Sequence, residues 1–483
     1  MRFGILTPKI IFDSLKKLSI FCLAIKSKIV IVVLTIAKNH YFSYFKAISL
    51  NQIIMSQKLG FWAVFALVTG SQIGTSVFIL PLSLAPFGIY SVWGWVLSLF
   101  GAMSIALVFS SLCAKFPKTG GPHVYVRESF GDKIAFFTGF TYWVISFVST
   151  SIVVISAIGY LTPFFQSQAI LDLILQIILL TAITILNLKG PKVAGKGEFY
   201  LTLLKFVPLL VVGLAALSHF NIDNIVIAKE VENLSITTIM GRVALLTFWG
   251  FIGVECATTT AGAVKDPAKT IPRAIIVGTF CVAVLYIINS IGIMGLIPAS
   301  ELINSKAPYA DAAALLFGGK WASVIAVIAS IICIGTLNAW VLTSGQIALG
   351  LAEDGLLLKF FAKKNSNNAP TYGIIVSCLG IVPLLVFTSN DNFAEQITQI
   401  IDFSVIAFLF VYLICSLAFL KVILSSKENF SYYYLLIALI SIIFCAWIIY
   451  ETPVKTLIIA CSFTIAGVPL YYGWYRGRNR TKL

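Results

Sequence analysis

Ionisable side chains sit inside long apolar runs of this 483-residue chain. Lys205 lies in Leu203-Leu204-Lys205-Phe206-Val207-Pro208, Glu255 follows Gly250-Phe251-Ile252-Gly253-Val254, and Asp402 lies in Ile400-Ile401-Asp402-Phe403. A charge in hydrocarbon is costly, so residues of this kind pair, exchange protons or meet a ligand. Glu255 offers a carboxyl that can take up and release a proton at a buried position. Lys205 is an ammonium that must be paired or deprotonated, unless its stem lets the charge snorkel to an interface. Asp402 is a counter-ion for a cation, or else an acid facing water near a helix end.

Two of the apolar stretches are interrupted by glycine at mid-depth. The first reads Gly70-Ser71-Gln72-Ile73-Gly74-Thr75-Ser76 within Phe61–Ala85, and the second Trp249-Gly250-Phe251-Ile252-Gly253-Val254-Glu255 within Thr237–Gly262. Lipid offers no partner for backbone groups, so a spanning helix breaks only where protein, water or a ligand satisfies the freed N–H and C=O. Broken helices at matching positions of two halves point to a transporter binding site. At the first break a half-helix N-terminus near Gly74 presents N–H groups to a carboxylate, with Ile73 beside it and hydroxyls from Thr75 and Ser76. At the second, carbonyls around Phe248, Trp249 and Ile252 are expected to accept from an α-ammonium. Gly70 and Gly74 also fit a close helix-packing pair.

The elements that hold these residues are membrane helices. With 59% hydrophobic and 11% charged residues and a mean hydropathy of +0.98, the chain is not an ordinary soluble protein. Apolar segments of about 20 residues, enough to cross a core of about 30 Å, fall near 61–86, 90–114, 136–162, 168–188, 196–218, 237–262, 272–298, 322–351, 371–388, 396–420, 431–450 and 455–475. The fold class is therefore all-α integral membrane with twelve spans. The net charge of +15 does not indicate nucleic acid, because it is sided. Lys115, Lys118, Arg127, Lys133, Lys189, Lys192, Lys196, Lys265, Lys269, Arg273, Lys359, Lys363, Lys364, Lys421, Lys427, Arg476, Arg478, Arg480 and Lys482 fall on one side, against Lys229, Arg242, Lys306, Lys320 and Lys455 on the other. This inside-positive bias puts both termini in the cytoplasm of a bacterial plasma membrane.

Residues 1–54 stand apart. They carry Arg2, Lys9, Lys16, Lys17, Lys26, Lys28, Lys38 and Lys46 against the single acid Asp13, and lack the uninterrupted core of a secretory signal. An interfacial basic helix fits them, but Met55-Ser56-Gln57-Lys58 reads as a natural start, so 1–54 is expected to be an extension upstream of a transmembrane domain at 55–483. The nine cysteines are scattered, with no metal spacing. Gly190 to Lys196 mimics a phosphate-binding loop, but Gly197 follows where a Ser or Thr is needed. Neither an enzyme, a cofactor nor a metal is implied.

The same motifs resemble the amino acid–polyamine–organocation superfamily, closest to its basic amino acid/polyamine antiporter branch, which includes arginine/agmatine antiporters. The resemblance runs from Met55 to the last span. It rests on Thr247-Phe-Trp-Gly-Phe-Ile-Gly-Val-Glu-Cys-Ala257, Lys265-Asp-Pro-Ala-Lys269, Gly74-Thr-Ser-Val-Phe-Ile-Leu-Pro81, Lys118-Thr-Gly-Gly-Pro122, Tyr142-Trp143, Asn338-Ala-Trp340 and Glu353-Asp-Gly-Leu356. It implies a LeuT-type five-plus-five inverted repeat, with helices one and six broken, plus two C-terminal helices. It also implies that Trp249 stacks on the substrate, that Glu255 joins Tyr142 and Tyr412 in a cytoplasm-side gate, and that Trp340 is the outer gating aromatic.

Departures from that pattern bear on substrate. Ser76 stands where the family usually has glycine, which shrinks the carboxylate pocket. Thr150 stands where the antiporters carry an asparagine, with Ser146 and Val153 on the same helical face. Ser404 matches a contact to the substrate side chain, and Asp402, two residues earlier, is a counter-ion for a cationic substrate or for Lys205. Lys205 itself resembles the lysine that replaces a sodium ion in some proton-coupled members. The expected partners are an amino acid or amine substrate, protons and the lipid bilayer, with a homodimer compatible with the reading. A sensor that binds the same ligands without flux is the alternative from another class.

Overall fold

The computed structural model describes residues 58–165, 168–305, 307–388, 393–425 and 431–480. The expectation for residues 1–54 lies outside them. Among the described residues there is no strand; the elements are helices. The first predicted segment divides into α1 (Phe61–Gln72) and α2 (Ser76–Leu84). Then come α3 (Tyr90–Lys115), the short α4 (Pro122–Phe130), α5 (Asp132–Gly159), α6 (Ala169–Leu188) and α7 (Pro191–Ser218). The sixth segment holds α8 (Ile236–Trp249) and, after a run of turns, the single turn α9 (Cys256–Thr259). Next are α10 (Pro267–Leu296), α11 (Pro308–Phe317), α12 (Lys320–Glu353), α13 (Thr371–Phe387), α14 (Phe393–Ser425), α15 (Tyr432–Glu451), α16 (Val454–Ile465) and α17 (Gly467–Arg480).

Each of the twelve predicted segments thus contains helix. Among the described residues ten helical stretches are long and apolar enough to cross a membrane, and α8 and α13 are shorter apolar helices. Proline at the first position starts α4, α7, α10 and α11, where its missing N–H has no intrahelical role. Ser235 caps α8 by accepting from the Thr238 N–H at 3.2 Å.

Burial is distributed as a lipid solvent demands. Apolar side chains such as Phe100, Ile170, Ile178 and Ile443 face outward, whereas serines and threonines line the interior. α5 packs along α12, and α10 packs against α1, α3 and α7. The two interrupted segments are tied to each other at one end. Leu59 N–H donates to Ala263 O at 2.7 Å and Lys265 N–H to Leu59 O at 2.9 Å.

Gly70 and Gly74 do pack closely, as their spacing allows. A Cβ on Gly70 would lie 1.9 Å from Glu198 Oε1, and one on Gly74 would lie 2.9 Å from Thr336 Cγ2. The small residues that weaken α1 therefore also admit α7 and α12 against the weakened point.

Gly253 has φ +104, and a Cβ there would meet Ser71 Oγ at 2.8 Å. A side chain in this backbone region costs about 1–2 kcal/mol, before any displacement of Ser71. Gly253→Ala is expected to lower the melting temperature of the detergent-purified protein by at least that equivalent. An unchanged melting curve would show that the second break tolerates an ordinary backbone.

Candidate functional site

The first break exposes four consecutive carbonyls, and each is met by a donor from another helix. Gly70 O accepts from Lys205 Nζ at 2.8 Å and from Thr336 Oγ1 at 3.0 Å. Ser71 O accepts from Trp340 Nε1 at 3.1 Å, and Gln72 O from Tyr286 OH at 2.8 Å. Ile73 O accepts from Thr336 Oγ1 at 2.5 Å. Helix cannot satisfy these groups because Ile73 is extended (φ −78, ψ 99), so α7, α10 and α12 supply what the missing turn would have provided.

The amides are treated differently. The Gly74 N–H is directed at the Tyr286 hydroxyl, but among the described residues nothing accepts from the N–H groups of Thr75 or Ser76, while Phe78 and Ile79 already bond to Thr75 O at 3.1 and 3.2 Å. These open donors at the start of α2 sit where the helix dipole is positive, an arrangement suited to a carboxylate.

The second break satisfies itself more fully than the sequence suggests. Phe251 N–H bonds to Phe248 O at 2.9 Å and Ile252 N–H to Trp249 O at 3.4 Å. Those two carbonyls, expected to be free, are engaged because the chain coils into tight turns after Trp249. Among the described residues the carbonyls of Gly250, Ile252 and Val254 are the ones left without a donor in this stretch. The two breaks meet where Ser71 Oγ donates to Gly253 O at 3.1 Å.

Between them lies a cavity of about 30 Å³. Of the predicted substrate contacts, Thr75, Ser76, Thr150, Val153, Trp249, Ile252 and Trp340 line it. Ile73 is buried beside it through its carbonyl bond to Thr336. Ser146 and Ser404 are buried but do not line this space. Ser146 Oγ bonds to Trp143 O at 2.6 Å, and Ser404 Oγ has no partner. The hydroxyls of two lining residues are already committed, Thr150 to Ser146 O at 2.5 Å and Ser76 to Tyr286 OH at 2.6 Å. A volume of this size holds a water or two; an amino acid enters only if the walls move.

Beneath the cavity, Tyr142, Glu255 and Tyr412 are brought together and buried. Tyr412 OH donates to Glu255 Oε2 at 2.5 Å and accepts from Gly253 N–H at 3.4 Å. Glu255 Oε1 and Tyr142 OH lack partners of ordinary hydrogen-bond geometry. Phe408 packs among Tyr142, Trp340 and Tyr412, with ring centroids 5.9, 5.5 and 6.2 Å away. Phe408 therefore connects the carboxyl cluster to the aromatic that holds the first break.

Lys205 is fully buried. The acid against it is Glu198 at 3.4 Å, which corrects the expectation that Asp402 could be its counter-ion. Asp402 is half-buried on α14, away from that pair, and has no ion pair among the described residues. Glu198 was not singled out from the sequence, although Glu198, Thr202 and Lys205 stand at i, i+4 and i+7, the spacing of one helical face. Ser71, Gln72, Tyr286 and Thr336 were also missed, and nothing in their local pattern separates them from packing residues.

At the end of α12, outside the spans, Asp354 accepts from Arg127 Nη1 at 3.0 Å and pairs with His123 Nε2 at 3.1 Å. Burial pushes its carboxyl up, but the hydrogen bond from His123 and the charges of His123 and Arg127 outweigh that and hold it below its ordinary value.

The family model for amino acid permeases matches residues 59–469. The chain is 27% identical over 341 residues to the cadaverine/lysine antiporter of Escherichia coli (strain K12), covering 70% of this chain and 77% of that protein. It is 28% identical over 422 residues to the putrescine transporter PotE of Haemophilus influenzae, covering 86% and 97%. The corresponding figures for the putrescine transporter PotE of Escherichia coli (strain K12) are 26% over 371 residues, covering 76% and 84%.

Removing the Tyr412 hydroxyl leaves Glu255 Oε2 without its donor, at a cost of about 1–3 kcal/mol for a buried polar group. Tyr412→Phe is expected to lower thermal stability, and its effect should be strongly non-additive with Glu255→Gln in a double-mutant cycle. Simple additivity would mean the two side chains act independently.

Proposed function

We infer, because this chain belongs to the amino acid permease family, that it carries an amino acid or related amine across the plasma membrane by alternating access, powered by a proton gradient or by substrate exchange. The chain is a multi-pass membrane transporter; the reading adds twelve spans in a five-plus-five inverted repeat with two further helices, and both termini in the cytoplasm. The observation that carries it is the meeting of two broken helices around one cavity, whose lining residues include Thr75 and Ser76 with open N–H donors and Ile252 with an open carbonyl. Donors for a carboxylate and an acceptor for an ammonium describe the two ends of an α-amino acid.

The relatives' names include the diamines cadaverine and putrescine, which favours a second reading as a basic amino acid/polyamine exchanger. A diamine has no carboxylate and would leave the Thr75 and Ser76 amides unmatched in a dry site, a costly arrangement. An α-amino acid satisfies both sets, so it is the preferred substrate class, with Asp402 and Ser404 toward its side chain.

Trp249 lies half-buried at the second break and lines the cavity, positioned to cover the substrate. A desolvated cation–π contact contributes about 2 kcal/mol or more. Trp249→Ala is expected to abolish saturable uptake in proteoliposomes while membrane insertion persists. Unchanged kinetics would rule out this pocket, and binding without flux in the wild type would make the protein a sensor.

Coupling rests on Lys205. Its ammonium sits among Gly70 O, Thr336 Oγ1 and Glu198 Oε1, oxygens that would otherwise suit a small cation, and so holds α7 against α1 and α12. Loss of its proton loosens that contact. Uptake is expected to be sodium-independent and acid-stimulated. Lys205→Ala should lose accumulation against a gradient and retain exchange, and Lys205→Arg should fail as well, since guanidinium does not deprotonate. Glu255 is the rival carrier, and Glu255→Gln should instead shift the pH profile of exchange. Sodium-dependent uptake, or normal proton-driven accumulation in the Arg variant, would overturn the assignment to Lys205.

A further inference from the structure

A chain of buried polar side chains runs along α7 and ends at Lys205. Glu198 and Lys205 are both completely buried. Glu198 Oε1 accepts from Lys205 Nζ at 3.4 Å and Thr202 Oγ1 at 3.3 Å, and its Oε2 accepts from Asn338 Nδ2 at 2.9 Å. Asn338 Nδ2 also donates to Ala194 O at 3.2 Å, and Asn338 Oδ1 accepts from Asn187 Nδ2 at 3.1 Å. Asn187 lies in the last turn of α6, next to the Leu188 carbonyl that Asn365 holds at 2.7 Å. Its Oδ1 is buried with no partner. At 1.5 Å rise per residue, Glu198 is about 10 Å and Lys205 about 21 Å along α7 from Pro191. The loop at 189–190 belongs to the side that the basic residues assign to the cytoplasm.

A carboxylate and an ammonium buried together far from either surface are a poor stabilising device, since desolvation offsets their attraction. They are a good device for moving a proton, because transfer between them leaves the pair's net charge at zero. We propose that Glu198 is the relay that passes the proton of Lys205 to and from the cytoplasm. The inference rests on the proton-coupled reading above. In the transfer, one proton leaves Lys205 Nζ for Glu198 Oε1, turning ammonium and carboxylate into amine and carboxylic acid. The acid then gives that proton to water entering past Asn187 and returns to carboxylate, and the amine is reloaded from the opposite side.

The surroundings isolate this exchange. Among the described residues, α1 brings the Gly70 carbonyl to Lys205 and the Ala66 carbonyl to Thr202, and α6 brings Asn187 to Asn338. α12 brings Thr336, Asn338 and the thiol of Cys333. Further along α7, Tyr309 of α11 directs its hydroxyl to Leu209 O at 3.4 Å and to Asn289 of α10. Among the described residues no other ionised group interacts with the pair. Gly70 lets the relay touch the substrate site, because its carbonyl holds Lys205 while its missing side chain makes room for the Glu198 carboxylate. Movement of the first break must therefore disturb the pair.

The test is the number of protons moved per substrate, read with a pH-sensitive dye trapped in proteoliposomes. The probe is whichever of the twenty common amino acids, cadaverine and putrescine the wild type takes up fastest. Glu198→Gln keeps the side chain's size and one acceptor oxygen but cannot carry the proton, so protons per substrate should fall about tenfold or more, whatever rate remains. Glu198→Asp keeps a carboxyl one methylene further back, and should retain proton movement with a displaced pH profile. Wild-type proton stoichiometry in the Gln variant, or a wild-type pH profile in the Asp variant, overturns the relay and leaves the reading of Lys205 standing. Substrate uptake by the wild type with no proton movement overturns both. If the Gln variant fails to insert, the Asp profile decides alone, since a group that only supports the fold would not displace it.

Discussion

A helix broken inside a membrane leaves carbonyls that lipid cannot satisfy, and the arrangement of this protein follows from how those carbonyls are met. Gly70, Ser71, Gln72 and Ile73 each direct an oxygen out of the first break. Lys205, Trp340, Tyr286 and Thr336 answer them from three other helices. Leaving any one unmade would cost several kcal/mol in hydrocarbon. The helices that supply these donors are thereby held at fixed positions around the break, and the cavity is what remains between them.

The two breaks solve the same problem in opposite ways. The first is extended and relies on side chains from elsewhere, so it responds to whatever moves those helices. The second folds its own carbonyls back into turns, with Gly253 at a backbone angle that ordinary residues avoid, and touches the first through Ser71. Below it, the Tyr412 hydroxyl joins the Gly253 amide to the Glu255 carboxyl. A change of protonation at either Lys205 or Glu255 thus acts on backbone that also faces the cavity. With room for only a water or two there, anything larger enters only as these contacts move.

How much of this was legible beforehand depended on whether the signal was local. Membrane helices, their approximate limits and the two glycine breaks follow from hydropathy, segment length and residue type, all of which act within one segment. Lys205, Glu255 and Trp249 stood out because a charge in an apolar run, or an aromatic beside a glycine break, is conspicuous in isolation. The meeting of Tyr142, Glu255 and Tyr412 was legible only through family resemblance, since nothing in their spacing requires it.

Partnership was decided by tertiary structure. Glu198 stands seven residues before Lys205 on one face of α7, a signal the sequence carries, but only the packing of α1 and α12 against that face shows that it is buried and that the two pair there. The carbonyls available at the second break differ from the expected ones because turn geometry, not residue type, determines which oxygens are used. Thr336 and Tyr286 have ordinary compositional roles until they face an unwound segment far away in the chain. By itself the sequence determined that the chain must cross a membrane and where its helices would fail. Which side chains would compensate that failure depended on distances between helices, and no single segment encodes those.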